Sequence, residues 1–275
     1  MEFIEIMKAI ILGIIEGITE WLPVSSTGHM ILVDEFLQLN MSPAFKEMFF
    51  VVIQLGAIMA VVVLYWKKIF PFSFKKKPFV QKSIIIMWIK VIIACLPAAV
   101  IGLLFDDKVN ELFYNFQTVA IMLILFGIFF IVVENYNKGK IPVATDMDQL
   151  TFKMAIIIGL FQVIAAVFPG TSRSGATILG ALLIGVSREV ATEFTFFLAI
   201  PVMFGASLLK LVKFGFVFTG FEMIILSVGS IVAFIVSILA IKFLVGYIKK
   251  HDFKVFGWYR IILGIILLGY YFFLR

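Results

Sequence analysis

The sequence predicts an all-α protein that crosses a membrane several times, and three observations support this prediction. Hydrophobic residues make up 63% of the chain, against about 45–50% in soluble domains. Several apolar runs approach the ~20 residues that a helix needs to cross a bilayer. Charged residues, 15% of the chain, cluster between those runs. We therefore treat residues 1–275 as one integral membrane domain. The net charge of +6 indicates basic cytoplasmic loops rather than nucleic-acid binding.

Six segments are long and apolar enough to be spanning helices. In chain order they are residues 47–66, 84–104, 118–135, 193–213, 221–247 and 257–274.

Two further apolar regions, 6–22 and 153–168, are each followed by a polar break, at 23–28 and 169–175. A shorter apolar stretch follows each break. We predict two re-entrant helix–loop–helix segments, because broken backbone at membrane depth is tolerated only where protein or a water-filled cavity surrounds it.

The two breaks resemble copies of each other at an offset of 146 residues. The matched pairs are Gly13 with Gly159, Pro23 with Pro169, Ser26 with Ser172, and Glu47 with Glu193. We predict two halves, 1–138 and 139–275, each with one re-entrant segment and three spanning helices. Three crossings is an odd number, so the second half is inverted. Inverted-topology repeats place a site near the bilayer midplane, where broken helices meet.

Loop charges predict the orientation of the chain. The loop at 67–82 carries six basic residues and no acid, which predicts a cytoplasmic location. They are Lys67, Lys68, Lys75, Lys76, Lys77 and Lys82. The polar stretch at 106–111 and both termini then lie outside. Lys210 and Lys213 approach the outer side, which is explained if they snorkel from a helix end.

Two acids stand in the first interrupted segment. Glu16 and Glu20 are four residues apart and so share one helix face, with about 5–6 Å between their Cβ atoms. Two such charges in an apolar segment require a retained proton or a divalent cation. Mg²⁺ takes one or two carboxylates together with phosphate oxygens and water. We predict Glu16 and Glu20 as metal ligands; the alternative is a helix end that faces lipid headgroups.

Ser25, Ser26 and Thr27 form a run of hydroxyls in the first break, and His29 follows them. One hydroxyl would cap the next helix, whose free N–H groups suit a phosphate. The other hydroxyls exceed what a cap needs. His29 is a candidate base for a serine nucleophile or a proton donor to a leaving group; the alternative is a polar surface histidine.

The second break contains an arginine among hydroxyls. Arg173 presents a planar fork that binds phosphate through two hydrogen bonds. An ion pair with Glu16 or Glu20 is the structural alternative. The remaining predicted phosphate-binding residues of this break are Thr171, Ser172, Ser174 and Thr177. The loop is not a P-loop, because the lysine and the spacing of that motif are absent.

The two polar motifs, at residues 16–29 and 169–177, closely resemble those of the undecaprenyl pyrophosphate phosphatase family, which is known for bacitracin resistance. The resemblance covers nearly the whole chain. It implies a multi-pass enzyme of the bacterial plasma membrane that hydrolyses undecaprenyl pyrophosphate to undecaprenyl phosphate and phosphate. That reaction recycles the lipid carrier of peptidoglycan synthesis and opposes bacitracin. The resemblance also implies a divalent cation, Mg²⁺ or Ca²⁺.

The resemblance assigns roles to the residues that match the family's motifs. Glu16 and Glu20 match its essential acidic motif and Ser26 its proposed nucleophile. His29 matches its accessory acid or base, and Arg173 its phosphate clamp. Either His29 or a glutamate then assists Ser26, and attack by an activated water is an open alternative.

Two other functions fit the same pattern. Inverted repeats with broken helices are common in transporters, so a transporter or flippase of a phosphorylated lipid is the main alternative; it would tolerate Ala at Ser26. A non-catalytic scaffold is disfavoured, because buried acids and Arg173 would be costly without a ligand. The expected partners are a polyprenyl pyrophosphate and membrane lipids, with no nucleic acid. The oligomeric state, including a homodimer, is left open.

Overall fold

The computed structural model describes residues 2–73 and 78–274, which form eleven α-helices and a short 3₁₀ turn at Met147–Gln149. In order, the helices are α1 (Glu2–Thr19), α2 (Ser26–Phe36), α3 (Pro43–Leu64), α4 (Trp66–Ile69), α5 (Lys82–Phe113), α6 (Phe116–Asn137), α7 (Phe152–Val167), α8 (Arg173–Leu183), α9 (Arg188–Phe214), α10 (Gly220–Ile248) and α11 (Lys254–Leu274).

Six of these helices are long and apolar enough to cross a membrane, which confirms the predicted number. They are α3, α5, α6, α9, α10 and α11, and their spanning parts are 20 to 29 residues long. Their outer faces carry large exposed apolar side chains, among them Ile231, Leu239 and Ile262. Apolar surface this extensive requires lipid around it, so the protein is a multi-pass membrane protein.

Both predicted breaks separate two helices, α1 from α2 and α7 from α8, but each lies closer to the N-terminus than predicted, at residues 20–25 and 168–172. Helix α2 already begins at Ser26 and α8 at Arg173, because a serine directly before each helix caps it. The polar residues that follow the caps therefore lie in first helical turns rather than in loops. The re-entry of these segments into the bilayer stays a prediction.

Helices α3 and α9, matched by the sequence offset, pack against each other in opposite directions. Glu47 near the start of α3 pairs with Lys210 near the end of α9, and Glu193 near the start of α9 pairs with Lys68 just after α3. Lys210 is thus engaged in an ion pair. An inverted repeat requires a helix and its copy to be antiparallel, as α3 and α9 are. The division of the whole chain into two inverted halves stays a prediction.

Small residues bring the broken segments close to the spanning helices. A Cβ on Gly13 of α1 would lie 2.6 Å from the carbonyl oxygen of Gly229 on α10. A Cβ on Gly159 of α7 would lie 2.4 Å from the carbonyl oxygen of Ala94 on α5. Contacts this close exclude any side chain, and they fix α1 and α7 so that the starts of α2 and α8 meet inside the protein.

The structure bears on two of the predicted loops, at 106–111 and at 67–82. The stretch at 106–111 is the last part of α5, which continues to Phe113, rather than a loop. In the basic loop, Lys75, Lys76 and Lys77 lie outside the described residues.

Candidate active site

The serine caps of α2 and α8 share an unusual backbone conformation. Ser25 has φ 74° and Ser172 has φ 70°, and in the described parts of the chain no other residue except glycine has a positive φ. Each cap side chain accepts a hydrogen bond from the third residue of its helix, Gly28 N at 3.3 Å and Gly175 N at 3.2 Å. Such strain costs on the order of 1–3 kcal/mol per residue and clusters at functional sites.

These caps correct the sequence register by one residue. The offset of 146 pairs Ser26 with Ser172, whereas the matching caps pair Ser25 with Ser172. The difference arises because the second break has one more residue between its proline and its cap. Ser26 and Arg173, the predicted nucleophile and phosphate clamp, therefore hold the same position, the first residue of the helix.

Glu20 joins those two residues. The Ser26 hydroxyl donates a hydrogen bond to Glu20 Oε2 at 2.7 Å. Arg173 Nη2 donates to Glu20 Oε1 at 2.9 Å, across 153 residues of sequence. The carboxylate is thus placed to accept the Ser26 proton and is paired with the arginine at the same time. Of His29 and the glutamates considered as bases from the sequence, Glu20 contacts Ser26.

Glu16 is buried beside Glu20 and only 1% exposed. Its Oε1 has no hydrogen-bond partner among the described residues. Burial first, and then the negative charge of Glu20, raise the pKa of Glu16 well above its ordinary value. An orphaned buried carboxylate oxygen either keeps a proton or awaits a cation.

A divalent cation would find few protein ligands here. No cluster of three acidic, histidine or cysteine ligands occurs in the described residues. Mg²⁺ needs only one or two carboxylates when phosphate and water complete its shell, and the free oxygen of Glu16 meets that need. Both oxygens of Glu20 are engaged with Ser26 and Arg173. The residues therefore fit a cation held mainly by Glu16, and the predicted pair of metal ligands stays a prediction.

Arg173 has donors left for a ligand. Its side chain is 13% exposed, and besides Glu20 it donates from Nη1 to the Thr195 carbonyl at 3.1 Å. A guanidinium carries five N–H donors, so these two bonds leave three. The pairing with Glu20, considered above as the structural alternative, is present and leaves room for phosphate recognition.

The predicted phosphate-binding hydroxyls of Ser174, Thr177, Thr171 and Thr27 differ in their surroundings. Ser174 donates to the Glu20 carbonyl at 3.2 Å, and Thr177 donates to the Arg173 carbonyl at 2.9 Å. These bonds hold the two breaks and the first turn of α8 together. Thr171 is fully buried and its Oγ1 has no partner within the described chain. Thr27 is half-buried at the start of α2.

His29 contacts residues other than Ser26. Its Nδ1 lies 2.7 Å from the Ser25 carbonyl oxygen, and its Nε2 lies 2.6 Å from the Tyr259 hydroxyl. Burial lowers the pKa of His29, and the charge of Arg260 lowers it further, against the hydrogen bond to Ser25. A neutral imidazole is therefore favoured at neutral pH.

The sequence analysis missed Arg260, which ties the two breaks together from α11. This residue is fully buried. Its guanidinium donates to the Pro23 carbonyl of the first break at 3.2 Å and to the Gly170 and Thr171 carbonyls of the second at 2.9 and 2.7 Å. An arginine in an otherwise apolar spanning run is the sequence signal that could have revealed it.

We expect Arg260→Met to lower the unfolding temperature of the detergent-purified protein and to abolish its activity. The substitution leaves three buried carbonyl groups unpaired, at about 1–3 kcal/mol each, and lets the breaks move apart. Thermal unfolding beside an activity assay measures both effects. Lys242→Met, at an exposed cation on α10, is the control. An active, equally stable Arg260→Met protein would contradict the clamp.

The chain is similar to known proteins over almost its whole length. A family model described as bacitracin resistance protein BacA matches residues 9–266. An undecaprenyl-diphosphatase of Desulfitobacterium hafniense is 70% identical over 271 residues, covering 98% of each chain. Undecaprenyl-diphosphatase 1 of Clostridium acetobutylicum is 66% identical, covering 98% of this chain and 99% of the relative. An undecaprenyl-diphosphatase of Acetivibrio thermocellus is 65% identical, covering 98% of each.

Proposed function

Because the chain belongs to the bacitracin resistance protein BacA family, we propose that it hydrolyses undecaprenyl diphosphate to undecaprenyl phosphate and inorganic phosphate in the bacterial membrane. The reaction returns the lipid carrier to cell-wall synthesis and opposes bacitracin. The observation that carries the proposed mechanism is the Glu20 carboxylate, hydrogen-bonded to Ser26 on one side and to Arg173 on the other. The nucleophile Ser26, its base Glu20 and the phosphate-binding guanidinium of Arg173 then occupy one buried site.

Substrate binding relies on positive electrostatic potential. The starts of α2 and α8 converge, and each helix start offers N–H donors and a partial positive charge to an anion. Arg173 adds a full charge and its remaining donors. Fixed donors of this kind stabilise the spread-out charge of a phosphoryl-transfer transition state.

Ser26 is the proposed nucleophile. Its oxygen bonds to the terminal phosphorus while its proton passes to Glu20 Oε2. The bond from that phosphorus to the bridging oxygen breaks, and its electrons leave with the lipid monophosphate. Water then attacks the phosphoserine, phosphate departs, and Glu20 returns the proton to the Ser26 oxygen.

A divalent cation, when bound, would neutralise part of the pyrophosphate charge. We propose Glu16 as its principal protein ligand, with Glu20 as a second. The support for this proposal is the buried, unpartnered Oε1 of Glu16 and the preference of such ions for phosphate oxygens.

Phosphate release with and without a chelator tests both the phosphatase activity and its need for a divalent cation. We expect purified protein in detergent to release phosphate from a long-chain polyprenyl pyrophosphate with Mg²⁺ or Ca²⁺, and to lose that release in EDTA. Restoring the cation should restore activity, which excludes damage by the chelator. Unchanged release in EDTA would remove the metal from the proposal. No release by folded protein with any divalent cation would overturn the phosphatase function itself.

A further inference from the structure

Tyr259 of α11 contacts the active site through His29, although the two residues are 230 positions apart. Its hydroxyl lies 2.6 Å from His29 Nε2. The two rings are nearly parallel, 3° apart, with their centroids separated by 5.6 Å. The next residue, Arg260, holds the two breaks together, so α11 supplies both contacts from adjacent positions.

The hydrogen bonds of His29 determine which nitrogen can exchange a proton. A carbonyl oxygen has no hydrogen to donate, so His29 Nδ1 must carry the proton that it shares with the Ser25 carbonyl. In the neutral ring Nε2 then has the lone pair and accepts from the Tyr259 hydroxyl. Any proton that enters the imidazole does so at Nε2, where Tyr259 lies.

The position of this pair leaves it free for a step other than the activation of Ser26. Ser26 already donates to Glu20. His29 lies three residues after Ser26 on α2, so the two side chains leave the helix on the same side. Tyr259 is 45% exposed, whereas Arg260 beside it is fully buried. One side of the phenol is thus left uncovered by the described residues.

We propose that Tyr259 has two roles: its hydroxyl orients His29 so that Nε2 is the basic atom of the imidazole, and it relays protons to that nitrogen. The proposal rests on the function proposed above. As water attacks the phosphorus, a water proton passes to Tyr259 Oη while the tyrosine proton passes to His29 Nε2. The tyrosine ends neutral and His29 ends as imidazolium. The proton later leaves to solvent by the reverse transfers.

A double-mutant cycle tests this coupling. We expect Tyr259→Phe to lower kcat about tenfold to a hundredfold with KM little changed, as part of the ~10²–10⁴ that a positioned acid or base contributes. In protein that already carries His29→Gln, the same substitution should change kcat by less than about threefold, because coupled residues are not additive. The acid limb of the kcat–pH profile should shift in Tyr259→Phe. Tyr271→Phe, on the same helix and packed on Phe116, is the matched control.

Two results would overturn the proposal. One is wild-type kcat and pH dependence in Tyr259→Phe. The other is a full multiplicative loss in the double variant, which would mean that the hydroxyl acts only on packing. Failure of the proposed function is distinguishable, because then the wild-type protein itself releases no phosphate. If the wild-type protein is active but Tyr259 and His29 show no coupling, the role of Tyr259 is rejected and the phosphatase function stands.

Discussion

Ser26→Ala should reduce phosphate release by at least about 10³-fold while the protein stays folded. Loss of a serine nucleophile in a hydrolase costs up to about 10⁶ in kcat. The helix cap is retained, because Ser25 and not Ser26 accepts from Gly28 N. The expected structural effect is confined to Glu20 Oε2, which loses one hydrogen bond. Single-turnover phosphate release and thermal unfolding in detergent measure the two effects separately.

Ser42→Ala is the matched control for this substitution. Ser42 caps α3 and accepts from Phe45 N at 3.2 Å, away from the breaks, so its loss should cost about 1 kcal/mol of stability with activity unchanged. Near-normal activity in Ser26→Ala would mean that the phosphatase uses water, and not Ser26, as the direct nucleophile. In wild-type protein, phosphate trapped on Ser26 after a quench would establish the covalent route.

Arg173→Ala should lower kcat/KM by about 10³–10⁵, the range that a charge-stabilising arginine contributes in phosphoryl transfer. The loss has two causes. The terminal phosphate loses its clamp, and Glu20 Oε1 loses its hydrogen bond and ion pair with the guanidinium. Arg173→Lys should recover only a small part of the activity, because lysine retains the charge without the planar fork. Steady-state kinetics with a polyprenyl pyrophosphate measure both variants.

Arg188→Ala provides the comparison. Arg188 forms a bidentate pair with the buried Glu134, so its removal should be strongly destabilising but should spare kcat in the fraction that remains folded. If Arg173→Ala matched Arg188→Ala, with lost stability and normal kcat, Arg173 would be a structural partner of Glu20 only. The shared contact of Ser26 and Arg173 with Glu20 makes the catalytic result the expected one.

The equivalent positions of Ser26 and Arg173 explain how two similar segments form one asymmetric site. Each segment supplies a strained serine cap and a helix start. The first helical residue is a neutral hydroxyl in one segment and a cation in the other. Glu20, from the first segment alone, links them. In the proposed mechanism, similar backbones thus present a nucleophile and a clamp to the same phosphate.

The sequence by itself was sufficient to predict the six spanning helices. Each of them depends on local properties, namely the length and hydropathy of one continuous run. It also identified Glu16, Ser26 and Arg173 as candidates, because charges and clustered hydroxyls in apolar segments are too costly to be incidental. The sequence predicted that one hydroxyl of the first break caps the next helix, but the structure was needed to identify Ser25 and Ser172 as the caps. A one-residue difference between the breaks had shifted the register.

Tertiary structure alone decided which groups act on one another. The sequence left His29 and a glutamate as alternative bases for Ser26, whereas in the structure Glu20 contacts Ser26 and His29 contacts Tyr259. Arg260 received no role from the sequence, because its partners are backbone carbonyls that carry no sequence signal. The contacts that Tyr259 and Arg260 make with the two breaks and with His29 join positions that are 89 to 237 residues apart. Local composition fixes which segments become helices, whereas only packing fixes which side chains from distant helices meet.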